Sequence, residues 1–308
     1  MLGAMPDQRP RAERATLATG VLAMVLFSAN FAASGHGLAR GLTVADLVLI
    51  RYGVAGPLFL ALLLRIGLGG LSWPRAAVLA ALAGAPYFLL TALALRFAPA
   101  AHASILNPGG TMLCAPLLAW WLLRMPPDIG VRFGLPVIAA GLALIGGASL
   151  GAGEGQAWLG HLLMLASGFN WALYGVLMQR WGVGGVRAAA IVGALSLAWV
   201  PPHLAIFGFG GLAAEPGEAL RQGVYQGLVA GGIAVVLYSR AVVAMGPARA
   251  ALLPPLVPAL GVLWAWLLLG EAVSGTQVAG MAMVVAGMLC GALWRSRATG
   301  PVARPRNT

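Results

Sequence analysis

Polar side chains are rare inside the long apolar runs of this 308-residue chain, and two of them, Asn30 and Asn170, lie 140 positions apart within matching segments. An amide inside a membrane-spanning helix is costly and usually faces the interior of the helix bundle. Asn30 and Asn170 could therefore line a path for a small solute. They could equally hold neighbouring helices together through hydrogen bonds, and the sequence supports both interpretations.

Arg51 is the one arginine assigned to the interior of a predicted membrane helix, roughly 10 Å from its start at 1.5 Å per residue. An arginine within a span is a functional candidate, because it can bind an anionic group such as a carboxylate. It can also snorkel to the membrane interface or pair with backbone carbonyls. We favour the second interpretation, since the helix that carries Arg51 can lie at the periphery of the bundle.

Aromatic and hydroxyl side chains supply further candidates for a solute path. Aromatic rings with a polar edge suit a mostly apolar pocket that makes a few directional contacts. Hydroxyl and amide groups could add polar contacts, although serine and threonine commonly bond their own helix. These candidates are Tyr87, Thr91, Ser104, Asn107, Trp171, Tyr174 and Tyr238.

Four prolines, Pro108, Pro254, Pro255 and Pro258, fall inside predicted helices. Proline removes a backbone hydrogen bond and frees a carbonyl group. Broken helices in transporters present such polar backbone to the substrate, whereas a simple kink would only shape the bundle. Because Pro108 and Pro254 occupy matching positions, we favour a shared mechanical role for this pair.

The elements that position these residues are ten predicted helices. Charged residues separate apolar runs of roughly 20 residues, the length that crosses about 30 Å of hydrocarbon. Backbone groups in lipid must be bonded within their own segment, so runs of this length must be helices. Helices 1 to 10 are predicted at 16–37, 44–64, 76–97, 101–123, 129–149, 157–179, 187–208, 223–244, 247–269 and 276–294.

The chain contains the same unit twice. Four residues, Pro108, Trp120, Gly134 and Gly141, recur 146 positions later as Pro254, Trp266, Gly280 and Gly287. Each copy, 16–149 and 157–294, holds five helices, and an odd number of crossings inverts the second copy. We therefore expect an all-α integral membrane protein with ten transmembrane helices in two inverted five-helix repeats. Two inverted halves around one midplane site are the geometry of alternating access, with helices 1, 3, 4, 6, 8 and 9 lining the path.

Composition places the chain in a lipid bilayer. Hydrophobic residues make up 60% and charged residues 9%, with a mean hydropathy of +0.88, whereas a soluble domain needs far more surface charge. The net charge of +11 comes from arginines spread through the loops, without the basic and aromatic cluster of a nucleic-acid site. We expect a lipid bilayer and a small-molecule substrate as partners, and no nucleic acid.

Arginines also set the predicted orientation, because positively charged loops stay on the cytoplasmic side. With the N-terminus inside, the outer loops receive only Arg40, Arg96 and Arg221, and the tails 1–15 and 295–308 are both cytoplasmic. The acidic residues assigned to the outer loops are Glu154, Glu215, Glu218 and Glu271.

Residues that could support catalysis or proton coupling are scarce. The segment Gly147–Gly151 matches a nucleophile elbow, but that motif needs a strand, a turn and a helix, and here it ends a membrane helix. No phosphate loop or metal-ligand cluster appears, so we expect no enzyme, no metal and no cofactor. Asp46 has capping-box spacing from Thr43, as Gln277 has from Ser274. A histidine relay is the alternative route for protons, through His36, His102, His161 and His203.

The second half carries the most specific motif. Pro254 and Pro258 precede Trp264-Ala-Trp-Leu-Leu-Leu-Gly-Glu271, and Gly280 and Gly287 follow along the last helix. Together with the duplication, this order resembles the drug/metabolite transporter superfamily, specifically its ten-helix bacterial type with two EamA domains.

The resemblance covers about 16–294 and implies a carrier of the bacterial inner membrane that exports a small organic solute, such as an amino acid, a metabolite or a drug. One departure is Leu123-Arg124-Met125-Pro126, where the family often has Leu-Gly-Glu. If that acid caps the following helix, the first half has lost the cap. The alternative to transport is a membrane sensor or assembly protein. The glycine rows of helix 8 (Gly223, Gly227 and Gly231) and helix 10 (Gly287 and Gly291) favour internal packing, and a homodimer is also compatible with them.

Overall fold

The computed structural model describes residues 9–151 and 155–298, which form helices joined by short loops. The predicted tails therefore lie largely outside the described residues, as does Glu154. Ten helical segments follow one another in the predicted order, and helices 1 to 10 keep their numbers below. The five of the first half are Arg9–Ser28 with Asn30–Ala39, Val44–Ile66, Trp73–Ala83 with Ala85–Ala94, Ala100–Leu123, and Ile129–Gly151.

The second half repeats this order with more interruptions. Its segments are Ala157–Arg180, Gly185–Ser196 continued by Leu197–Trp199 and Val200–Phe207, Pro216–Gln222 continued by Gly223–Ile233 and Ala234–Met245, Pro247–Ala250 with Leu256–Leu269, and Gly275–Ala298. A short helix, Gly210–Ala214, lies in the loop before helix 8. Glu218 lies within helix 8, and its side chain is buried, so its assignment to an outer loop was wrong.

Eight described segments are long and apolar enough to cross a membrane; helices 4 and 9 are the exceptions. Helix 4 is long, but it carries His102, Asn107 and two prolines. Helix 9 is short because its first turns stop at Ala250 and the regular helix resumes only at Leu256. The prediction of an all-helical membrane bundle is confirmed.

Helices 5 and 10 cross through glycines that show how the two halves are related. A methyl group added at Gly287 would lie 2.7 Å from the carbonyl oxygen of Gly134, and one added at Gly280 would lie 2.8 Å from that of Gly141. In the repeat, Gly134 corresponds to Gly280 and Gly141 corresponds to Gly287. Gly134 therefore contacts the counterpart of Gly141, and Gly141 contacts the counterpart of Gly134. Such an exchange is the signature of a two-fold axis, and it requires helices 5 and 10 to run in opposite directions.

The remaining helix pairs follow the same exchange. The contact of helix 4 with helix 6 matches that of helix 9 with helix 1. The contact of helix 3 with helix 6 likewise matches that of helix 8 with helix 1, and the equivalent helices 2 and 7 pack on each other. The glycine row of helix 8 faces Val54 and Ala55 of helix 2, and that of helix 10 faces helix 5. These rows therefore serve internal packing, and the homodimer stays a prediction.

The predicted helix caps are present at the starts of helices 2 and 10. The Thr43 hydroxyl and the Asp46 carboxylate each bind the backbone N–H of the other residue, and Ser274 and Gln277 form the same reciprocal pair. Glu271 caps a different helix: its oxygens accept the N–H groups of Ala100 and Ala101 at 2.9 and 2.8 Å. The motif glutamate thus caps helix 4 of the other repeat and not the helix that follows it.

The helix breaks differ from those predicted at the four prolines. Pro108 lies within an uninterrupted helix 4, and Pro258 lies within the regular part of helix 9, so neither residue breaks its helix. Pro254 and Pro255 do lie in an interruption. Breaks that the sequence analysis missed occur at Ala29 in helix 1 and at Gly84 in helix 3, where the freed N–H of Ala85 donates to the Ser196 hydroxyl at 3.0 Å.

We predict that Gly287→Ala destabilises the bundle by about 1–3 kcal/mol, the usual cost of forcing an extra methyl group into a packed interface. The new methyl would press on the Gly134 carbonyl and on Ile138, which cannot both withdraw. Thermal unfolding in detergent measures the effect. Gly146→Ala in helix 5 is the matched control, since a methyl there meets nothing within 4 Å, and equal stability of the two variants would contradict the close crossing.

Candidate functional site

A cavity of about 220 Å³ lies in the middle of the bundle. It extends from Arg51, in the first half of helix 2, to Met178 and Gly185, where helix 6 ends and helix 7 begins. Its walls come from helices 1, 2, 3, 6, 7 and 8. The sequence analysis expects helices 4 and 9 to line the path together with helices 1, 3, 6 and 8. In the structure, helices 2 and 7 line the cavity in their place.

Arg51 lies at the closed end of this cavity, and its side chain points into the bundle. Its Nη1 group donates to Asn30 Oδ1 at 2.9 Å and to Gln226 Oε1 at 2.7 Å. The guanidinium carbon lies 4.6 Å from the centre of the Phe88 ring, within range of a cation–π interaction. The expectation that Arg51 snorkels to the interface was wrong, because helix 2 packs between helices 7 and 8 and turns this residue inward.

A layer of polar side chains continues from Arg51 away from the cavity. Gln226 Nε2 donates to the Ser34 hydroxyl at 2.9 Å, and both side chains are buried. One turn further along helix 8, Gln222 Nε2 donates to the Ala33 carbonyl at 2.7 Å and to Glu218 Oε1 at 2.8 Å. Helices 1, 2 and 8 are thus joined beyond the cavity by two neighbouring groups of hydrogen bonds, one around Gln226 and one around Gln222.

Glu218 is the last member of this layer. Its carboxylate lies 3.1 Å from His36 Nδ1 and accepts from Arg221 Nε at 2.9 Å. The side chain is 1% exposed, whereas Arg221 is largely in solvent. The layer therefore ends in a buried acid that is paired with bases at the surface of the bundle.

The cavity walls are aromatic on two sides. Tyr87 and Trp171 have ring centroids 5.3 Å apart, and Trp171 and Tyr174 are also 5.3 Å apart. The opposite wall holds Phe27 and Tyr238, whose rings meet edge to face at 6.3 Å. These walls belong to helices 3 and 6 and to helices 1 and 8, the pairs that the two-fold axis exchanges.

The break in helix 1 frees two backbone carbonyls, whose partners lie outside the cavity lining. The Tyr225 hydroxyl donates to the carbonyl of Leu26 at 2.6 Å, and the Trp264 indole donates to that of Val25 at 3.2 Å. These bonds satisfy carbonyls that an intact helix would have paired four residues on. No proline or glycine marks this break, so the sequence carried no signal for it.

The remaining candidates lie away from the cavity lining. Asn107 donates to the Ser167 hydroxyl at 2.6 Å and lies 3.3 Å from the Tyr87 hydroxyl, which ties helix 4 to helices 3 and 6. Thr91 and Ser104 bond carbonyls of their own helices. Asn170 is half-buried, and none of the hydrogen bonds of the described residues involves its side chain. Asn30 and Asn170 therefore have different surroundings, despite their matching positions.

The four histidines occupy three separate contacts. His102 Nδ1 and His161 Nε2 lie 3.0 Å apart in a buried pair between helices 4 and 6. His36 meets Glu218, and His203 Nε2 lies 3.5 Å from the Asp46 carboxylate.

Gln226 is the functional candidate that the sequence analysis overlooked. It is a fully buried amide in the apolar stretch of helix 8, so the criterion applied to Asn30 would have found it. Ser34 and Phe88 had no such signal, because serine and phenylalanine are ordinary inside membrane helices.

The ten described helices form two inverted repeats that surround an aromatic cavity, and inverted repeats of this kind are typical of transporters. The model of the EamA-like transporter family matches residues 15–147 and again residues 158–291. The chain therefore belongs to the EamA-like transporter family, as a multi-pass membrane protein with two EamA domains, and it is not an enzyme.

One solved structure, titled "Crystal structure of protein", has a similar fold. It is 20% identical, with a TM-score of 0.60, over 94% of this chain and 99% of the other. At this identity the likeness supports the fold alone. A search of the curated proteins found no match.

We predict that Asn30→Ala and Asn170→Ala differ in their effect on folding. Loss of the Asn30 oxygen leaves the Arg51 charge with one fewer acceptor, which costs about 1–3 kcal/mol. Asn170→Ala removes no hydrogen bond of the described residues, so we expect a change within about 0.5 kcal/mol. Thermal unfolding of the two purified variants checks this, and a larger loss for Asn170→Ala would contradict the assignment.

Proposed function

We propose that this chain is a secondary transporter of the bacterial inner membrane that exports a small organic solute by alternating access. The observation that carries the proposal is the central cavity, which reaches one end of the bundle and is bounded at the other by the hydrogen-bonded layer from Arg51 to Glu218. A site that is accessible from one side and sealed from the other is what alternating access requires.

The direction of the opening follows from the proposed orientation. With both termini in the cytoplasm, helix 6 ends and helix 7 begins on the cytoplasmic side, so the cavity faces inward. A solute from the cytoplasm would then bind between the aromatic walls beside Arg51. Export direction rests on family resemblance alone.

Release to the outside needs the inverted half to open in turn. We propose that the repeats 16–149 and 157–294 rock about the bound solute, so that the layer of Gln222, Gln226 and Glu218 separates while the cytoplasmic ends close. The hydrogen bonds of that layer would form and break once per cycle. A solute gradient or a coupled ion would supply the energy, because neither EamA domain binds a nucleotide in this scheme.

A sensor or assembly protein is the competing function. Such a protein would use the same glycine packing but would not need a central cavity lined by aromatic and basic groups. The cavity beside Arg51 therefore favours transport.

We predict that Ala189→Trp abolishes flux through the purified protein in liposomes, screened with amino acids and other small organic solutes. Ala189 lines the cavity, and an indole of this size would fill most of the available volume. Ala205→Trp is the matched control, because Ala205 lies on the exposed surface of the same helix. The proposal fails if no solute shows saturable flux with the unmodified protein, or if both variants transport equally well.

A further inference from the structure

We propose, on the basis of the transport function above, that the solute is a small organic anion. Its single carboxylate, or an equivalent anionic group, would bind Arg51, and its apolar body would lie between the two aromatic walls. The proposal names the charge and size of the ligand and excludes organic cations.

The first argument is the charge of the cavity. Arg51 is the only charged residue among the described residues that line it. None of the salt bridges of the described chain involves Arg51, and its polar partners Asn30, Gln226 and Tyr52 carry no charge. A positive charge that has hydrogen bonds but no counter-ion favours an anionic ligand.

The second argument is the hydrogen-bonding capacity of Arg51. A guanidinium has five N–H donors in a planar fork, and the bonds to Asn30 and Gln226 both come from Nη1. The amides therefore hold one arm of the fork and fix its direction. The Tyr52 side chain, which also lines the cavity, interacts with the guanidinium as well. The remaining donors of the fork can bind a carboxylate, for which guanidinium geometry is well matched.

The third argument is the absence of a site for a cation. The described lining contains no aspartate or glutamate, and the nearest buried acid of the polar layer, Glu218, is already bound by His36, Arg221 and Gln222. An organic cation in this cavity would face Arg51 without a carboxylate to compensate. The rings alone would have to hold it against that repulsion.

The fourth argument is size. A volume of about 220 Å³ falls below the roughly 300–1,000 Å³ of pockets for drug-sized ligands. One ring and one carboxylate suit this space, with the ring against Trp171 and Tyr87 on one side and Phe27 and Tyr238 on the other.

Three ligands of one shape and different charge test the inference. Benzoate, benzamide and benzamidine carry charges of −1, 0 and +1 on the same ring. Their affinities for the purified protein in nanodiscs can be measured by calorimetry at pH 8. We expect benzoate to bind at least tenfold more tightly than benzamide, and benzamidine to bind more weakly than either.

Variants of Arg51 locate the effect. Arg51→Gln should lower the benzoate affinity at least tenfold and leave that of benzamide unchanged, whereas Arg51→Lys should keep part of the preference for benzoate. Arg65→Gln, at the exposed end of the same helix, is the matched control and should bind like the unmodified protein. If Arg51→Gln does not fold, the charge series with the unmodified protein still decides.

The inference is overturned if benzamidine binds as tightly as benzoate, if none of the three ligands binds, or if Arg51→Gln binds benzoate normally. Failure of the transport function looks different. Benzoate would then bind through Arg51, but liposomes would show no saturable flux of any solute.

Discussion

The positive charge of Arg51 has to be accommodated inside an apolar bundle, and the arrangement of helices 1, 2 and 8 follows from this constraint. An arginine at the centre of a membrane helix costs about 2.5–3.5 kcal/mol on insertion scales. Two hydrogen bonds to a charged group, at about 1.5–3 kcal/mol each, can offset that cost. Asn30 and Gln226 provide these bonds. The same constraint places a cation without a counter-ion at the end of the cavity.

The helix packing makes this arrangement possible. Glycines at the crossing of helices 5 and 10 let two backbones touch, and the reciprocal contacts of Gly134 with Gly287 and of Gly141 with Gly280 set the two-fold relation of the halves. This crossing lies away from the cavity residues. Close packing there leaves the six helices 1, 2, 3, 6, 7 and 8 free to surround a central space. The closest backbone crossing and the cavity thus involve different helix pairs.

Much of the fold could be predicted because its causes are local. The length of the apolar runs predicts the ten helices, and the spacing of Thr43 and Asp46 predicts a helix cap. The recurrence of Gly134 and Gly141 as Gly280 and Gly287 indicated the repeat. The site was less predictable, because its contacts join residues far apart in the chain. Arg51 meets Gln226 across 175 positions, and Glu271 caps a helix that begins 171 residues earlier. No local pattern encodes such pairings, and the break at Ala29 has no marker residue.

Residues at matching positions of the two repeats do not make matching hydrogen bonds. Asn30 binds Arg51, whereas its counterpart Asn170 has no hydrogen-bonded partner among the described side chains. Glu271 caps helix 4, but Met125 stands at the matching place in the first half. The repeat therefore preserves the backbone arrangement, while the two halves have different polar groups.

The inverted relation of the halves is the central claim, and labelling of two equivalent loops tests it directly. In a variant without Cys114 and Cys290, single cysteines replace Ser72, before helix 3, and Ala213, before helix 8; both positions are exposed. A membrane-impermeant thiol reagent is then applied to sealed vesicles of known orientation. The inverted repeat predicts that the two cysteines react from opposite faces of the membrane. Reaction of both from the same face would contradict it.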